Sequence, residues 1–312
     1  MTTSTLHLQV LALTIFLVCA AAVTPASAQP WPGCPDKCGD ISIPYPFGVG
    51  TGCARDPYFE LECNRTYSPP RLIVFTHRQH LLNLSLADGE AIALINARRQ
   101  CYNSTEGLVN ETSVDRAVTL VGSTAYRFSA ERNRFVALGC PNMGYFVDTD
   151  GYYVSGCTSF CRPSSQKLVA SSTGCTGEGC CQSRIPTDTI YYAQYIQTFK
   201  PGEGDPILRG GTTACRYVFL ADAEWFNSGY RGDFNRSDDF AVPVVLDWAI
   251  RNVGNCEIAV LNRTDYACRS ANSECIDSTN GQGYRCRCSM GYEGNPYLDG
   301  GCKGATPKHT YH

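Results

Sequence analysis

CPDKCGDISIPYPFGVGTGCARDPYFELEC, residues 34–63, decides how the chain is read. Cys34, Cys38, Cys53 and Cys63 pin the stretch at four points. Between them, Pro44 and Pro46 fix their own φ and push Ile43 and Tyr45 away from helix. The segment therefore runs extended, with Tyr45 and Phe47 on a stiff backbone. Gly48, Gly50 and Gly52 permit a turn that other residues resist. Tyr58-Phe59-Glu60-Leu61 alternates like a short strand. Two roles are open to Tyr45 and Phe47. They are displayed to a ligand, or they fill a small core in which aromatics supply most of the buried area. A rigid, cysteine-pinned platform suits recognition better than catalysis.

Upstream, Leu8 to Val23 is apolar and ends near the small-residue site Ala26-Ser27-Ala28. This predicts a secretory signal over residues 1–28 and a mature chain from Gln29, despite an n-region without Lys or Arg. Secretion accounts for the 19 cysteines. Cys19 leaves with the signal, and the even number that remains predicts a full disulfide framework in an oxidising compartment. Zinc-type paired CxxC knuckles are absent, so neither a metal nor a cofactor is expected. Asn64, Asn83, Asn103, Asn110, Asn235 and Asn262 head Asn-x-Ser/Thr sequons and are expected to carry glycans at the surface. The best later apolar run, Phe240 to Ile250, contains Pro243 and Asp247. It is too short for a membrane crossing, which needs about 20 apolar residues.

Downstream, helical periodicity is scarce and short β-rich runs recur: Leu72–Phe75, Leu81–Leu86, Ala91–Ile95, Phe135–Leu138, Tyr145–Val147, Tyr152–Val154 and Tyr217–Leu220. Asp88-Gly89 and Asp150-Gly151 sit between consecutive runs and predict hairpins. Ala221 to Phe226 reads as a short helix. The expected fold is mainly β, disulfide-rich and multi-domain, with long loops. The expected boundaries are 29–140, 141–250, 251–302 and a polar tail, 303–312. Lys and Arg balance Asp and Glu in the first unit, while the second is acidic. Nothing in this balance calls for a nucleic-acid partner. Basic residues cluster at His77-Arg78-Gln79-His80 and at Arg98-Arg99. On a strand, Arg78 and His80 share a face. Such residues either form a solvated edge that deters pairing or grip carboxylates, for which Arg is well shaped. Cys180 and Cys181 are adjacent, a poor geometry for pairing with each other, so different partners are expected.

Residues 34–53 followed by Phe59–Cys63 resemble the opening of the galacturonan-binding domain of plant wall-associated receptor kinases. CTSFCRPSS (157–165), CTGEGCCQSRIP (175–186) and Phe240–Ile250 resemble the cysteine-rich region that follows it in that family. Cys256, Cys268, Cys275, Cys286, Cys288 and Cys302, with Gly291-Tyr292-Glu293-Gly294, resemble an epidermal-growth-factor-like (EGF-like) module. That resemblance implies the pairs Cys256–Cys275, Cys268–Cys286 and Cys288–Cys302. No carboxylate occurs in residues 251–255, so a high-affinity calcium site before Cys256 is not expected. Kinase motifs are absent from the sequence. The resemblance thus implies the outer portion of such a receptor, without membrane-spanning or kinase parts.

The implied protein is secreted into the cell wall and binds pectin or oligogalacturonide rather than turning it over. Arg78, His80, Arg98 and Arg99 are expected as exposed electropositive contacts, and Tyr45 and Phe47 as stacking partners for sugar rings. A receptor or co-receptor fragment that contacts membrane receptor kinases is the alternative. A wall-polysaccharide hydrolase working through paired carboxylates is a weaker one, because no nucleophile elbow or metal-type histidine pattern accompanies them.

Overall fold

A computed structural model describes residues 29–74, 79–103, 107–111, 117–122, 125–139, 141–160, 175–197, 214–228 and 241–305. Cys19, Cys140, Cys161, His77, Arg78 and Asn235 lie outside the described residues. The protein is mainly β. Its core can be built outward from one alternating strand. In β7 (Glu90–Asn96), Ala91, Ala93 and Ile95 are buried, while Ile92 and Leu94 are half-buried on the opposite face. This is the period of two that turns one side of a strand to a core.

β7 belongs to a seven-stranded sheet. Its spatial order is β11 (Tyr126–Phe128), β18 (Ala241–Trp248), β7, β6 (Gln79–Ser85), β5 (Arg71–Val74), β4 (Glu60–Asn64) and β3 (Gly48–Val49). All neighbours are antiparallel except β3 and β4. The β6–β7 hairpin closes at Asp88-Gly89, with Gly89 at φ 72°, a conformation that favours glycine. A second sheet has the order β15 (Cys180–Ser183), β12 (Asn133–Leu138), β17 (Ala214–Asp222), β8 (Arg98–Asn103) and β9 (Gly107–Glu111). A third runs β10 (Ala117–Thr119), β16 (Tyr191–Gln197), β13 (Asn142–Val147) and β14 (Tyr153–Ser159). The β1 (Lys37–Cys38) and β2 (Ile41–Ser42) pair precedes them. The C-terminal module adds the hairpins β19 (Ser273–Asp277) with β20 (Tyr284–Cys288) and β21 (Tyr292–Gly294) with β22 (Cys302–Gly304). Two short α-helices, α1 (Ala223–Asn227) and α2 (Cys256–Ala259), and a 3-10 turn over Pro57–Phe59 complete the described elements, so that of the expected run Tyr58–Leu61 only Glu60 and Leu61 are strand.

The sheets do not respect a boundary at residue 140. β18 lies between β11 and β7, and β17 lies between β12 and β8. Strands from residues 29–140 and from 141–250 thus share two ladders. The cause is readable in β18. Val244 and Val245 point to opposite faces, yet each is 0% exposed, so the strand needs cover on both sides. Asn133 helps supply it. Its side-chain amide donates to the Val245 carbonyl at 2.7 Å and accepts from the Val245 N–H at 2.9 Å. The third sheet packs on the second where Gly144 leaves room. A Cβ there would lie 2.5 Å from Val218 Cγ1 and 2.7 Å from the Ala137 methyl.

The buried side chains form one cluster that runs from Cys38 to Tyr297. Trp248 is its pivot. Phe47, Phe59 and Tyr297 surround it at ring-centroid distances of 5.0, 6.1 and 6.0 Å, and its indole N–H donates to the Ser85 carbonyl. The edge-to-face contacts with Phe47 and Phe59 add to the area that the rings bury. The module is seated by the same region. Asn295 donates through Nδ2 to the carbonyls of Gln29 (3.0 Å) and Tyr45 (2.7 Å). Asn280 donates to the Phe128 carbonyl and to Asp247, and Arg251 reaches the carbonyls of Ala125 and Gln282. Burial, with Arg127 nearby, pushes the Arg251 guanidinium down to about 10.

Eight disulfides join the described cysteines. Cys34–Cys53 and Cys38–Cys63 pin the opening stretch, and Cys101–Cys215 staples β8 to β17. Cys181 pairs with Cys157 and Cys180 with Cys175, so the adjacent cysteines do take different partners. The module holds Cys256–Cys275, Cys268–Cys286 and Cys288–Cys302.

Candidate functional site

The residues expected at the ligand do not come together. Phe47 is 0% exposed and packs on Phe59 and Trp248, so it fills the core and offers no face to solvent. Tyr45 is half-buried, with its ring 4.8 Å from that of Trp31. Burial raises its phenol pKa, partly offset by Arg55. Arg98 and Arg99 were expected to be exposed. They are 5% and 3% exposed instead. β8 is an inner strand flanked by β17 and β9, and β9 supplies their partners. Arg98 pairs with Glu111, and Arg99 Nη2 donates to Asn110 Oδ1 at 2.9 Å. A buried guanidinium is tolerable when it is paired and hydrogen-bonded in this way. His80 lies on β6, in a different sheet from Arg98 and Arg99.

A more accessible arrangement lies at the β4–β5 end of the side of the first sheet that carries Glu62, Ile73, His80 and Leu94, on which Glu62 and Arg71 are exposed while Ile73 is 5% exposed. Cross-strand register places Glu62 beside Ile73, Ile73 beside His80 and His80 beside Leu94. Arg71 follows the alternation of β5 onto this side and pairs in register with Asn64. Its guanidinium carbon sits 4.1 Å from the ring centroid of Tyr67, which is 45% exposed. This is a cation stacked on an aromatic face. Arg71 itself is exposed and has no carboxylate partner among the described residues. Its proximity is felt at His80. Burial and then the Arg71 charge lower the imidazole pKa below its ordinary value of 6.5. The Arg71–Tyr67 pair could meet a carboxylate with the guanidinium and a sugar ring with the phenol. Sequence reading missed it. The available signal was Tyr67-Ser-Pro-Pro-Arg71, a stiff turn that carries an aromatic and a cation just after Cys63.

Beside β6 lies a cleft of about 370 Å³, lined by Asp40, Ile41, Ser42 and Pro44 and by residues 82–87. Its one charged lining residue is the carboxylate of Asp40, so it lacks the cation that an acidic sugar would require. Of the sequon asparagines, Asn83, Asn110 and Asn262 are exposed and Asn64 is half-exposed. The Asn103 side chain lies outside the described residues. Among the described residues, no group of His, Cys, Asp and Glu could hold a metal ion, and no helix is long and apolar enough to cross a membrane.

Comparison with known proteins bears on the same region. The model of the wall-associated receptor kinase galacturonan-binding family matches residues 34–95, which include Tyr67, Arg71, His80 and the cleft. The chain is 32% identical over 282 residues to wall-associated receptor kinase 2 of Arabidopsis thaliana, covering 88% of this chain and 35% of that protein. Wall-associated receptor kinase 4 of the same plant is 31% identical over 305 residues, covering 93% of this chain and 37% of that protein. Wall-associated receptor kinase-like 6 is 28% identical, covering 86% of this chain and 44% of that protein. The chain thus spans a little over a third of the length of the first of these relatives. The matched part is the non-catalytic one, and the relatives' kinase portion is not covered. No solved structure matches.

Proposed function

We propose, on the premise that this chain carries a wall-associated receptor kinase galacturonan-binding domain and is homologous to those receptors over about nine-tenths of its length, that it is a secreted, glycosylated wall protein that binds pectin. Its ligand is de-esterified galacturonan, and it binds without turnover. The observation that carries this reading is the exposed Arg71–Tyr67 pair inside the matched residues. An arginine fork grips a sugar carboxylate through two parallel hydrogen bonds, and an adjacent phenol supplies a surface for the ring. His80 joins this contact in the proposal, and Arg78, outside the described residues, is kept as an expected cation of the same basic run. Arg98 and Arg99 serve as structural residues of the second sheet.

The test is titration of the purified secreted chain with oligogalacturonide across salt concentrations. Affinity should fall with salt, because exposed charges are screened over about 10 Å at 0.1 M. Arg71→Gln should weaken binding about tenfold, equivalent to about 1.4 kcal/mol. Acidification should strengthen it as His80 gains charge, but the rise should come below pH 6.5, because the imidazole pKa is lowered. Equal binding of fully methyl-esterified pectin, or no loss in the Arg71 variant, would remove the charge-based site.

A role in protein contacts is the second reading. It draws on Ile258, Val260 and Leu261 around α2 of the module, which are 54%, 49% and 80% exposed. Capture of membrane receptor kinases that is lost in a Leu261→Ser variant would favour it.

A further inference from the structure

Asn64 closes β4 and stands opposite Arg71 in register, so the two side chains leave the same side of the sheet. Directly opposed residues have Cβ atoms about 4.5–5.5 Å apart. Asn64 also heads the sequon Asn64-Arg65-Thr66. Its carboxamide is held at one end. Oδ1 accepts from the Thr66 N–H at 2.9 Å and from the Thr66 hydroxyl at 2.7 Å. Nδ2, the atom that would carry a sugar, donates to no described residue, and Asn64 is half-exposed.

Both ends of the loop that carries Tyr67 are tied to the β1–β2 turn. Cys63, next to Asn64, is bonded to Cys38. At the other end Pro70 approaches Gly39, where a Cβ would lie 2.5 Å from the Pro70 carbonyl oxygen. Arg71 covers one face of the Tyr67 ring. A sugar that stacks on Tyr67 must therefore take the other face. The remaining described sequon asparagines stand elsewhere. Asn83 lies opposite Ile92, Asn103 opposite Gly107 and Asn110 opposite Cys101, while Asn262 is in no strand.

We propose that a glycan on Asn64 shields the Arg71–Tyr67 pair and competes with galacturonan for it. This rests on that pair being the galacturonan contact. Glycosylation forms a bond from Nδ2 to C1 of the first sugar, breaks the C1–O bond to a lipid diphosphate and releases one Nδ2 proton. The new amide is uncharged, so Arg71 keeps its full charge and the glycan acts by bulk alone. A linear polymer laid along the pair meets a branched glycan rooted one strand spacing away. Because the glycan is tethered, its effective concentration at the pair is on the order of millimolar, and weak contact is enough to compete. A pair left open for about a tenth to a third of the time binds its ligand about three- to tenfold more weakly. Occupancy of one sequon thus sets how tightly the protein holds the acidic polymer.

The test compares the full secreted chain with Asn64→Gln and Thr66→Ala, which each remove this sequon, and with Asn262→Gln, which removes the one on the C-terminal module. Mass mapping of peptides reads occupancy at Asn64. Phenylglyoxal, which modifies accessible guanidinium groups, reads the cover over Arg71 without any ligand. Titration with oligogalacturonide reads the competition. Asn64 should be occupied in the parent. In both sequon variants Arg71 should react about three- to tenfold faster, and oligogalacturonide should bind more tightly by a similar factor. Asn262→Gln should change neither. An unoccupied Asn64 would overturn the proposal, as would equal Arg71 reactivity, or measurable but equal affinity, in the parent and the sequon variants. Faster Arg71 modification with no oligogalacturonide binding in any form would support the shield and remove the galacturonan contact instead.

Discussion

Arg98 and Arg99 carry their charge into a sheet, and this changes what their substitution should do. Changing both to Gln leaves Glu111 without its cation and Asn110 without its donor. Breaking a largely buried pair costs about 3 kcal/mol. The double variant should therefore lower the unfolding midpoint in urea of the whole glycoprotein. Any loss of oligogalacturonide binding should follow the loss of folded protein. Binding that weakens with the midpoint unchanged would instead make these residues direct contacts. The arginine pair was legible in the sequence, and its fate was not. Glu111 is 13 residues from Arg98 and Asn110 is 11 from Arg99. Only the β8–β9 hairpin brings them back, and no Asn-Gly or Asp-Gly marks its turn. Phe47 was ambiguous for a similar reason. The prolines around it fix a backbone direction, but the Trp248 that claims its ring lies some two hundred residues away.

Strands and local hairpins were far easier to read than the order in which strands pair. Asp88-Gly89 and Asp150-Gly151 each sit between two apolar runs, and both close the hairpins they predict. The run at Phe240–Ile250 could be recognised as apolar. Its insertion between β11 and β7 could not, because sheet order depends on partners far along the chain. The same holds for the fit of β13 against the second sheet. Gly144 reads as an unremarkable strand glycine, yet Val218 and Ala137 occupy the space its side chain would need. Gly144→Ala should force the third sheet outward and cost about 1–3 kcal/mol through overpacking. Chemical denaturation would measure it. A variant as stable as the parent would mean that the two layers have slack at this point.

At the scale of the whole molecule, the expected row of separate units gives way to sheets that share strands and a C-terminal module seated on them. Aromatic, hydrogen-bonded and charged contacts all cross that seat. Tyr297 meets Trp248, Asn295 bridges Gln29 and Tyr45, and Arg55 lies against Asp265. The cysteine spacing made the module recognisable, but nothing in a cysteine pattern reports what lies against it. Asn295 joins positions 266 and 250 residues apart in sequence, and this short circuit determines how the protein bears a mechanical load. A pull applied at the opening stretch and at the module meets those two hydrogen bonds and the Trp248 packing first. The intervening strands are bypassed until that clasp parts. Single-molecule extension between residues near 40 and near 300 should show an initial rupture that undocks the module, followed by separate steps as the sheets yield. Asn295→Ala should lower the first rupture force and leave the later steps where they were. A single rupture that releases the whole chain in one step would mean that the clasp is no weaker than the sheets behind it.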